Sequence, residues 1–424
     1  MKVLRFGICG LVVFSVLAHG AVEDWARAVL ETAAGLLFLY WALRAARSGT
    51  DSGTSFTLAL SPLLLPLLAL VIVVSAQLVL RTTASAYHTR IELQLLISYI
   101  LILFLADQAL RRSEHWRTFV WFLMCLGFVV SIFGILQHLT FNGKLYWFRE
   151  MRYGGIPFGP YVNRNHFAGF AELIIPVALV PLVLGKVRRE RWAIVGILAL
   201  IPIGALFLSA SRGGIVSFAV EITLLVLLML LRRSIGKHIL AGAVVMLLAF
   251  VLVSWLGVRQ ILERFSSMQS LEASTDKRAS MRRDTWRIFR DHPWIGTGLG
   301  TLQIVYPPYE TLYDGKIVNH AHNDYLEPLA ETGIAGGLCC AWFLALLLYH
   351  SLRQLLPSDT SFAAALRLSG LIACCGFLTH SLVDFNLHIP GNALLFFLTA
   401  HLATGGTRAQ PANHSPSSGS RLNH

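Results

Sequence analysis

Long apolar runs alternate with short polar connections along almost the whole chain. The runs lie near residues 3–19, 27–45, 57–79, 92–110, 118–137, 166–185, 193–209, 214–231, 238–256, 326–350, 361–380 and 389–404. Backbone N–H and C=O groups find no water in hydrocarbon, so a spanning segment must satisfy them within a helix or a closed barrel. A spanning helix needs about 20 apolar residues and a barrel strand about half as many. These runs are of helix length. The pattern therefore predicts an all-α, polytopic membrane protein of about 12 transmembrane helices, with a single integral membrane domain over residues 1–404. Residues 405–424, rich in Ser, Asn, Pro and Gly, predict a disordered tail. No internal repeat is evident by eye, which counts against an inverted-repeat transporter.

The connections carry the orientation. Numbered in order, the even ones hold Arg44 and Arg47, then Arg111, Arg112 and Arg117, then Lys186, Arg188, Arg189 and Arg191, then Arg232, Arg233 and Lys237, then Arg353. By the positive-inside rule these face the cytoplasm, together with both termini and the tail. The odd connections then face outward, to the periplasm if the cell has an outer membrane. Two of them are long, at about residues 138–165 and 257–325. Loops of that length in a compact protein usually carry function. The larger loop, 257–325, mixes basic with acidic residues, and loops this long escape the charge rule. Within it Met281, Trp286, Ile288 and Phe289 alternate at helical spacing with Arg282, Arg283, Arg287 and Arg290. That spacing suits either a helix lying at the membrane surface or one packed on the outer end of the bundle.

Composition removes the soluble alternative. Of 424 residues 55% are hydrophobic and 14% charged, where a soluble domain carries about 25% charged residues. The formal charge of +12 could suggest nucleic acid, but the Lys and Arg residues fall in short clusters between apolar runs, so the charge is read as topology. The expected partner is the lipid bilayer, not nucleic acid. Cys9, Cys125, Cys339, Cys340, Cys374 and Cys375 all lie in apolar stretches and are expected to be packing residues. Residues 1–21 resemble a signal peptide, with Lys2 and Arg5 before an apolar stretch and small residues near Ala18, Gly20 and Ala21. The many spans that follow favour an uncleaved first helix.

Four outward sites set polar groups at a helix boundary. In the first, Arg164, Asn165 and His166 directly precede a span. In the second, Ser209-Ala-Ser-Arg-Gly-Gly214 puts Arg212 in a tight turn on the side where arginine is not expected. Either Arg212 snorkels to headgroups and caps a helix, or it serves function, and its glycine neighbours would let the backbone approach a bulky anion. The third runs from Arg278 to Gly300 and ends in Gly296, Gly298 and Gly300. Without a buried strand before it, this G-x-G-x-G is better read as a turn at the membrane surface than as a phosphate cradle. In the fourth, His320, His322 and Asp324 crowd the start of a span. An i, i+2 spacing does not put both histidines on one helix face, which argues against a two-His metal site. A neutral imidazole taking a proton from a hydroxyl is the more natural use. Several arginines without a carboxylate cluster suit a polyanionic phosphate that is bound and then leaves, with no metal and no cofactor.

At these residues the sequence resembles the O-antigen ligase and polymerase family of membrane glycosyltransferases, which act on undecaprenyl-diphosphate-linked glycans. The resemblance rests on Arg164-Asn165-His166, Ser211-Arg212-Gly213-Gly214, and Arg278 leading into Asp291-His292-Pro293-Trp294-Ile295-Gly296-Thr297-Gly298-Leu299-Gly300. It rests also on His320-Ala321-His322-Asn323-Asp324-Tyr325-Leu326-Glu327 and on a trailing His380-Ser381-Leu382-Val383-Asp384-Phe385. It is densest over residues 155–400. What it implies is a metal-independent, inverting transferase of the C-type membrane fold in a bacterial inner membrane, with its active site on the periplasmic side. Arg164, Arg212 and Arg278 would hold the lipid diphosphate, and His322, from the family's His-Asn pair, would deprotonate the acceptor hydroxyl, with His320 as the alternative base. Asn165, His166, His320, Asn323 and Asp324 would support them. The partners implied are an undecaprenyl-diphosphate glycan donor and a lipid A core or glycan acceptor. Ligase-type transfer is favoured over repeat-unit polymerisation and protein O-glycosylation.

Two other classes compete. A transporter or flippase predicts ionisable groups spread through span interiors, whereas here they gather at outer ends. Glu172 and Glu221 are exceptions that would pair with nearby arginines or mark a path. A purely structural membrane protein explains the topology but leaves the Arg and His clusters idle.

Overall fold

The computed structural model describes residues 1–48, 58–110, 112–150, 156–231, 242–249, 251, 268–355 and 361–405. The described residues form helices and connecting loops, with two isolated β-bridges, Leu145 to Arg149 and Phe158 to Tyr161, in the loop between the fifth and sixth helices. The helices are α1 (Lys2–Leu17), α2 (Asp24–Ser48), α3 (Leu64–Val79), α4 (Ala86–Ala109), α5 (Ser113–Leu139) and α6 (Arg164–Val183). They continue with α7 (Trp192–Leu208), α8 (Arg212–Leu231), α9 (Met268–Asp291), α10 (Leu326–Leu355), α11 (Phe362–His380) and α12 (Pro390–Ala403). Eight of them, α2, α4 to α8, α10 and α11, are long and apolar enough to cross a membrane, and α3 is a shorter apolar helix. Of the other predicted spans, the first and last are helices of 16 and 14 residues. The ninth, 238–256, lies largely outside the described residues, as does the tail 406–424.

Burial sorts the spans. The most apolar window of α6 is 94% buried, while that of α2 is 17% and that of α8 is 33%. A helix apolar all round and enclosed all round sits at the centre of a bundle, and those apolar on an open face sit against lipid. Small residues let α6 occupy that centre. A Cβ at Gly169 would meet Asn386 Oδ1 at 2.4 Å, and Gly127 on α5 leaves room for Ile174 of α6. Asn163 starts the helix by accepting the Asn165 amide at 2.9 Å, satisfying one otherwise unpaired N–H.

The connections predicted to be odd-numbered meet at one end. The Gly391 amide donates to Gly20 O, Tyr146 Oη to Leu17 O, the Ala84 amide to Thr297 O, and the Asp324 amide to Ser381 O. At the opposite end His401 Nε2 lies 3.3 Å from Asp107 Oδ1, and Gln354 reaches Thr404 O. In the larger loop, α9 buries Met281 and Ile288 against Leu302, Tyr306, Val318, Ala321 and Ala330, and leaves Trp286 exposed. Of the two readings of this helix, packing on the end of the bundle accounts for its apolar face.

The helix α10 is broken. Gly333 has φ 63° and ψ −164°, a conformation open to glycine and strained for other residues. Backbone from the Pro293–Gly300 turn fills the break: the Ile334 amide donates to Pro293 O at 2.7 Å and the Ala335 amide to Trp294 O at 3.1 Å. Seven residues, Leu326 to Thr332, thus form a separate short segment that carries Glu327 and Glu331.

Candidate active site

The site is built where the starts of α6, α8 and α10, the end of α11 and one face of α9 converge. Its centre is Asp384, a residue 1% exposed at its side chain, in the turn after α11. Asn165 Nδ2 donates to Asp384 Oδ2 at 2.5 Å, and Asn165 Oδ1 accepts from Ser211 Oγ at 2.9 Å. His322 Nδ1 lies 3.4 Å from Asp384 Oδ1. Arg278, from α9, donates to Val383 O at 3.1 Å and brings Nη2 to 3.9 Å from Asp384 Oδ2. Burial opposes ionisation of Asp384, but the hydrogen bond and charge of His322, with the imidazoles of His166 and His380, outweigh it. They hold its carboxyl well below the usual carboxylate range.

His322 combines accessibility with restraint. Its side chain is 24% exposed, and its backbone has φ 51°, unusual for a residue other than glycine. Backbone strain of this kind persists only where surrounding contacts fix it. With Nδ1 turned to the carboxylate, Nε2 is the nitrogen turned away from it, and an imidazole held in this way can accept a proton there.

A second network lies beside the first. His320 Nδ1 and Glu327 Oε1 are 2.8 Å apart, and Glu327 Oε2 accepts the Ala321 amide at 2.7 Å. His388 bridges the two carboxylates, with Nδ1 2.9 Å from Asp324 Oδ1 and Nε2 3.3 Å from Glu327 Oε1. Asp324 also accepts from Ser381 Oγ and from the Leu387 amide. Burial disfavours a charged His388, but Glu327, Asp324 and Glu331 outweigh it and raise the imidazole to about 10. Asn323 caps the start of α10 through Oδ1 and donates to Leu382 O at 2.9 Å. His320, Glu327 and His388 present three ligand atoms within 4.8 Å of one another, a grouping that could hold a metal ion. Hydrogen bonds and ion pairs already occupy those atoms, tying the start of α10 to the turn at 381–388.

Phe385 joins the networks. His320 stacks on its ring at 4.4 Å, and His322 and His166 meet it edge-on at 4.8 and 4.9 Å.

The expected site residues thus divide. Asn165, His322 and Arg278 gather directly on Asp384, and Arg212 heads α8 next to Ser211. Arg164 heads α6 beside Asn165, with Nη1 buried and without a hydrogen-bond partner. His166 lies against Phe385 with Nε2 also unpartnered. His320, Asn323 and Asp324 belong to the supporting network. The expectation that glycines beside Arg212 open room for an anion meets a different use. A Cβ at Gly213 would lie 2.5 Å from His380 Nε2, and one at Gly214 2.6 Å from Ala168 Cβ, so both glycines let α8 approach α11 and α6.

The turn of Gly296, Gly298 and Gly300 is likewise occupied by the chain itself. The Gly300 and Leu302 amides donate to the Glu331 carboxylate at 2.9 and 2.8 Å. All three glycines have positive φ, and a Cβ at Gly296 would lie 2.2 Å from the Glu331 carbonyl carbon. Glu172 pairs with His380 Nδ1 at 2.9 Å rather than with an arginine. Both carboxylate oxygens of Glu221 are buried without a partner.

Glu327, Asp384 and Phe385 lie inside the 320–327 and 380–385 segments that carry the resemblance, but the sequence assigns them no role, and His388 lies outside every motif named there.

Residues 197–341 match the family model described as O-antigen ligase. No curated protein matches the chain.

Proposed function

We propose that the chain belongs to the O-antigen ligase/polymerase family, supported by the match of residues 197–341 to the model described as O-antigen ligase, and that it transfers a glycan from an undecaprenyl-diphosphate carrier to an acceptor hydroxyl. The transfer takes place on the periplasmic side of the bacterial inner membrane, with inversion. The observation that carries this reading is His322 Nδ1 at 3.4 Å from a buried Asp384 that also meets Asn165 and Arg278.

In this mechanism His322 Nε2 accepts the proton of the acceptor hydroxyl as its oxygen attacks the anomeric carbon from the face opposite the diphosphate. The new C–O bond forms while the bond to the diphosphate oxygen breaks, and the electron pair leaves with the lipid diphosphate. Asp384 keeps the imidazole in the tautomer with its proton on Nδ1 and stabilises the imidazolium that forms. Arg164, Arg212 and Arg278 offset the charge developing on the leaving group, a contribution of about 3–4 kcal/mol per well-placed donor in comparable sites. The buried, unpartnered Nη1 of Arg164 supports this role, because a desolvated guanidinium nitrogen is costly until an anion meets it. No metal is needed, since the arginines supply the positive charge.

We take the acceptor to be a sugar of the lipid A core. A repeat unit as acceptor would make the protein a polymerase, and a pilin hydroxyl would make it a protein glycosylase. The test supplies purified protein with undecaprenyl-diphosphate glycan and each acceptor, without added metal, and compares wild type with His322→Ala and Arg212→Ala. Transfer is expected from the wild type to one acceptor class, with both variants strongly impaired. Undiminished transfer by both variants would remove the site.

A further inference from the structure

The network at the start of α10 has the donor set and the backing of a transition-metal site. His320 Nδ1, Glu327 Oε1 and His388 Nε2 lie within 4.8 Å of one another. Glu327 Oε1 is 2.8 Å from His320 Nδ1 and 3.3 Å from His388 Nε2. Ligand atoms bound to a tetrahedral zinc ion stand roughly 3.3 Å apart. One spacing already matches, and the other needs to open by about half an ångström. Two imidazoles and one carboxylate are also the ligands of open zinc sites, which leave a fourth position to water. The pair His320 and His322 does not form this group, since His388, from the turn before α12, supplies the second imidazole.

The groups behind these atoms are placed as they are behind metal ligands. A ligating histidine usually gives its other nitrogen to a carboxylate or carbonyl. Asp324 Oδ1 lies 2.9 Å from His388 Nδ1, and Asp324 is itself held by Ser381 Oγ and the Leu387 amide. Glu327 Oε2 accepts the Ala321 amide at 2.7 Å, which leaves Oε1 to face the imidazoles. The cluster is enclosed but reachable, with the Glu327 side chain 2% exposed and that of His320 30%. The hydrogen bonds among the three atoms use imidazole protons that a metal ion displaces, because a ligating nitrogen must be deprotonated. The positive charge of the ion then meets Glu327 directly, with Asp324 behind it.

We propose that His320, Glu327 and His388 bind one zinc ion, with Asp324 positioning His388 and water completing the coordination. The ion joins the loop before α10 to the turn before α12. It also holds His320 against Phe385, the ring that His322 touches edge-on. It braces the site and takes no part in the transfer proposed above.

The test uses the full chain in a neutral detergent, stripped with a chelator and then titrated with Zn²⁺ or Mg²⁺ in competition with a chromophoric zinc indicator. Thermal midpoint is the second readout. One tightly held zinc per chain is expected, with a raised midpoint and no response to Mg²⁺, which prefers oxygen ligands. His320→Gln and Glu327→Gln should each weaken binding by more than about 100-fold, and Asp324→Asn, which leaves the ligands in place, by about 10–100-fold. His320 is the more exposed ligand, so its variant should keep the midpoint that the wild type shows before zinc is added. His88→Gln, at an exposed histidine outside the cluster, should bind as wild type does. Absence of zinc binding by the wild type, equal binding by His320→Gln, or an equal response to Mg²⁺ would overturn the proposal. Binding is read without donor or acceptor, so its failure is distinct from a failure of the transfer reaction.

Discussion

His322 and Asp384, 62 positions apart in sequence, meet with Nδ1 3.4 Å from Oδ1, one on an accessible side chain and the other on a buried one. An amide at position 384 would keep the shape but no longer fix the tautomer or stabilise the imidazolium. Asp384→Asn is therefore expected to lower kcat by roughly 10²–10⁴-fold. The acidic limb of the pH–rate profile, set by the imidazole that must be unprotonated to act, should shift while donor KM moves little. An unchanged rate would show that the pairing plays no part in catalysis.

Arg164 separates activity from stability. Its buried Nη1 has no hydrogen-bond partner, so deleting that nitrogen removes a desolvation cost and breaks no hydrogen bond of its own. Arg164→Ala is expected to cost about 10²-fold or more in kcat/KM while leaving the thermal midpoint level or higher. Arg164→Lys should restore only part of the rate, because an ammonium lacks the planar fork that matches a diphosphate. A fall in midpoint that parallels the fall in rate would mark the residue as structural.

Glu331 holds the glycine turn with both carboxylate oxygens. Glutamine preserves one acceptor and sets a donor against an amide, so Glu331→Gln should lower stability by about 1–3 kcal/mol. Thermal unfolding in detergent reads the effect. A midpoint within error of wild type would mean that the turn holds without its carboxylate.

His388 predicts a stability that depends on pH. Its folded value of about 10 lies above the roughly 6.5 of a free imidazole, so the folded state binds the extra proton. The contribution is complete below about 6.5, declines as pH rises, and is gone once pH passes the folded value. The midpoint of the wild type should fall between pH 7 and pH 10 more steeply than that of His388→Gln. Parallel slopes in the two proteins would contradict this assignment.

The helices were legible because lipid demands long apolar stretches, and α6, α7 and α11 lie where those stretches predict them. The break in α10 was not, since the apolar run 326–350 continues across Gly333 and only the Pro293–Gly300 backbone reveals why a helix stops there. Arg164, Arg212 and His322 stood out because a polar group beside a span must be explained. The role of Asp384, a residue of the quoted 380–385 segment, did not, because its partner Asn165 is 219 positions away and no local pattern encodes that distance. The same holds for Glu331, whose carboxylate fills a turn that reads on its own as a weak anion site. A carboxylate within the fold and one in a ligand look identical to a row of amides.

Phe385 makes one phenyl ring a common spacer for three imidazoles. A narrower or wider side chain there would shift all three at once. On the proposed transfer, a bulkier incoming alcohol would therefore be better admitted by reshaping the walls around His322 than by trimming this ring, which keeps that imidazole in step with its neighbours.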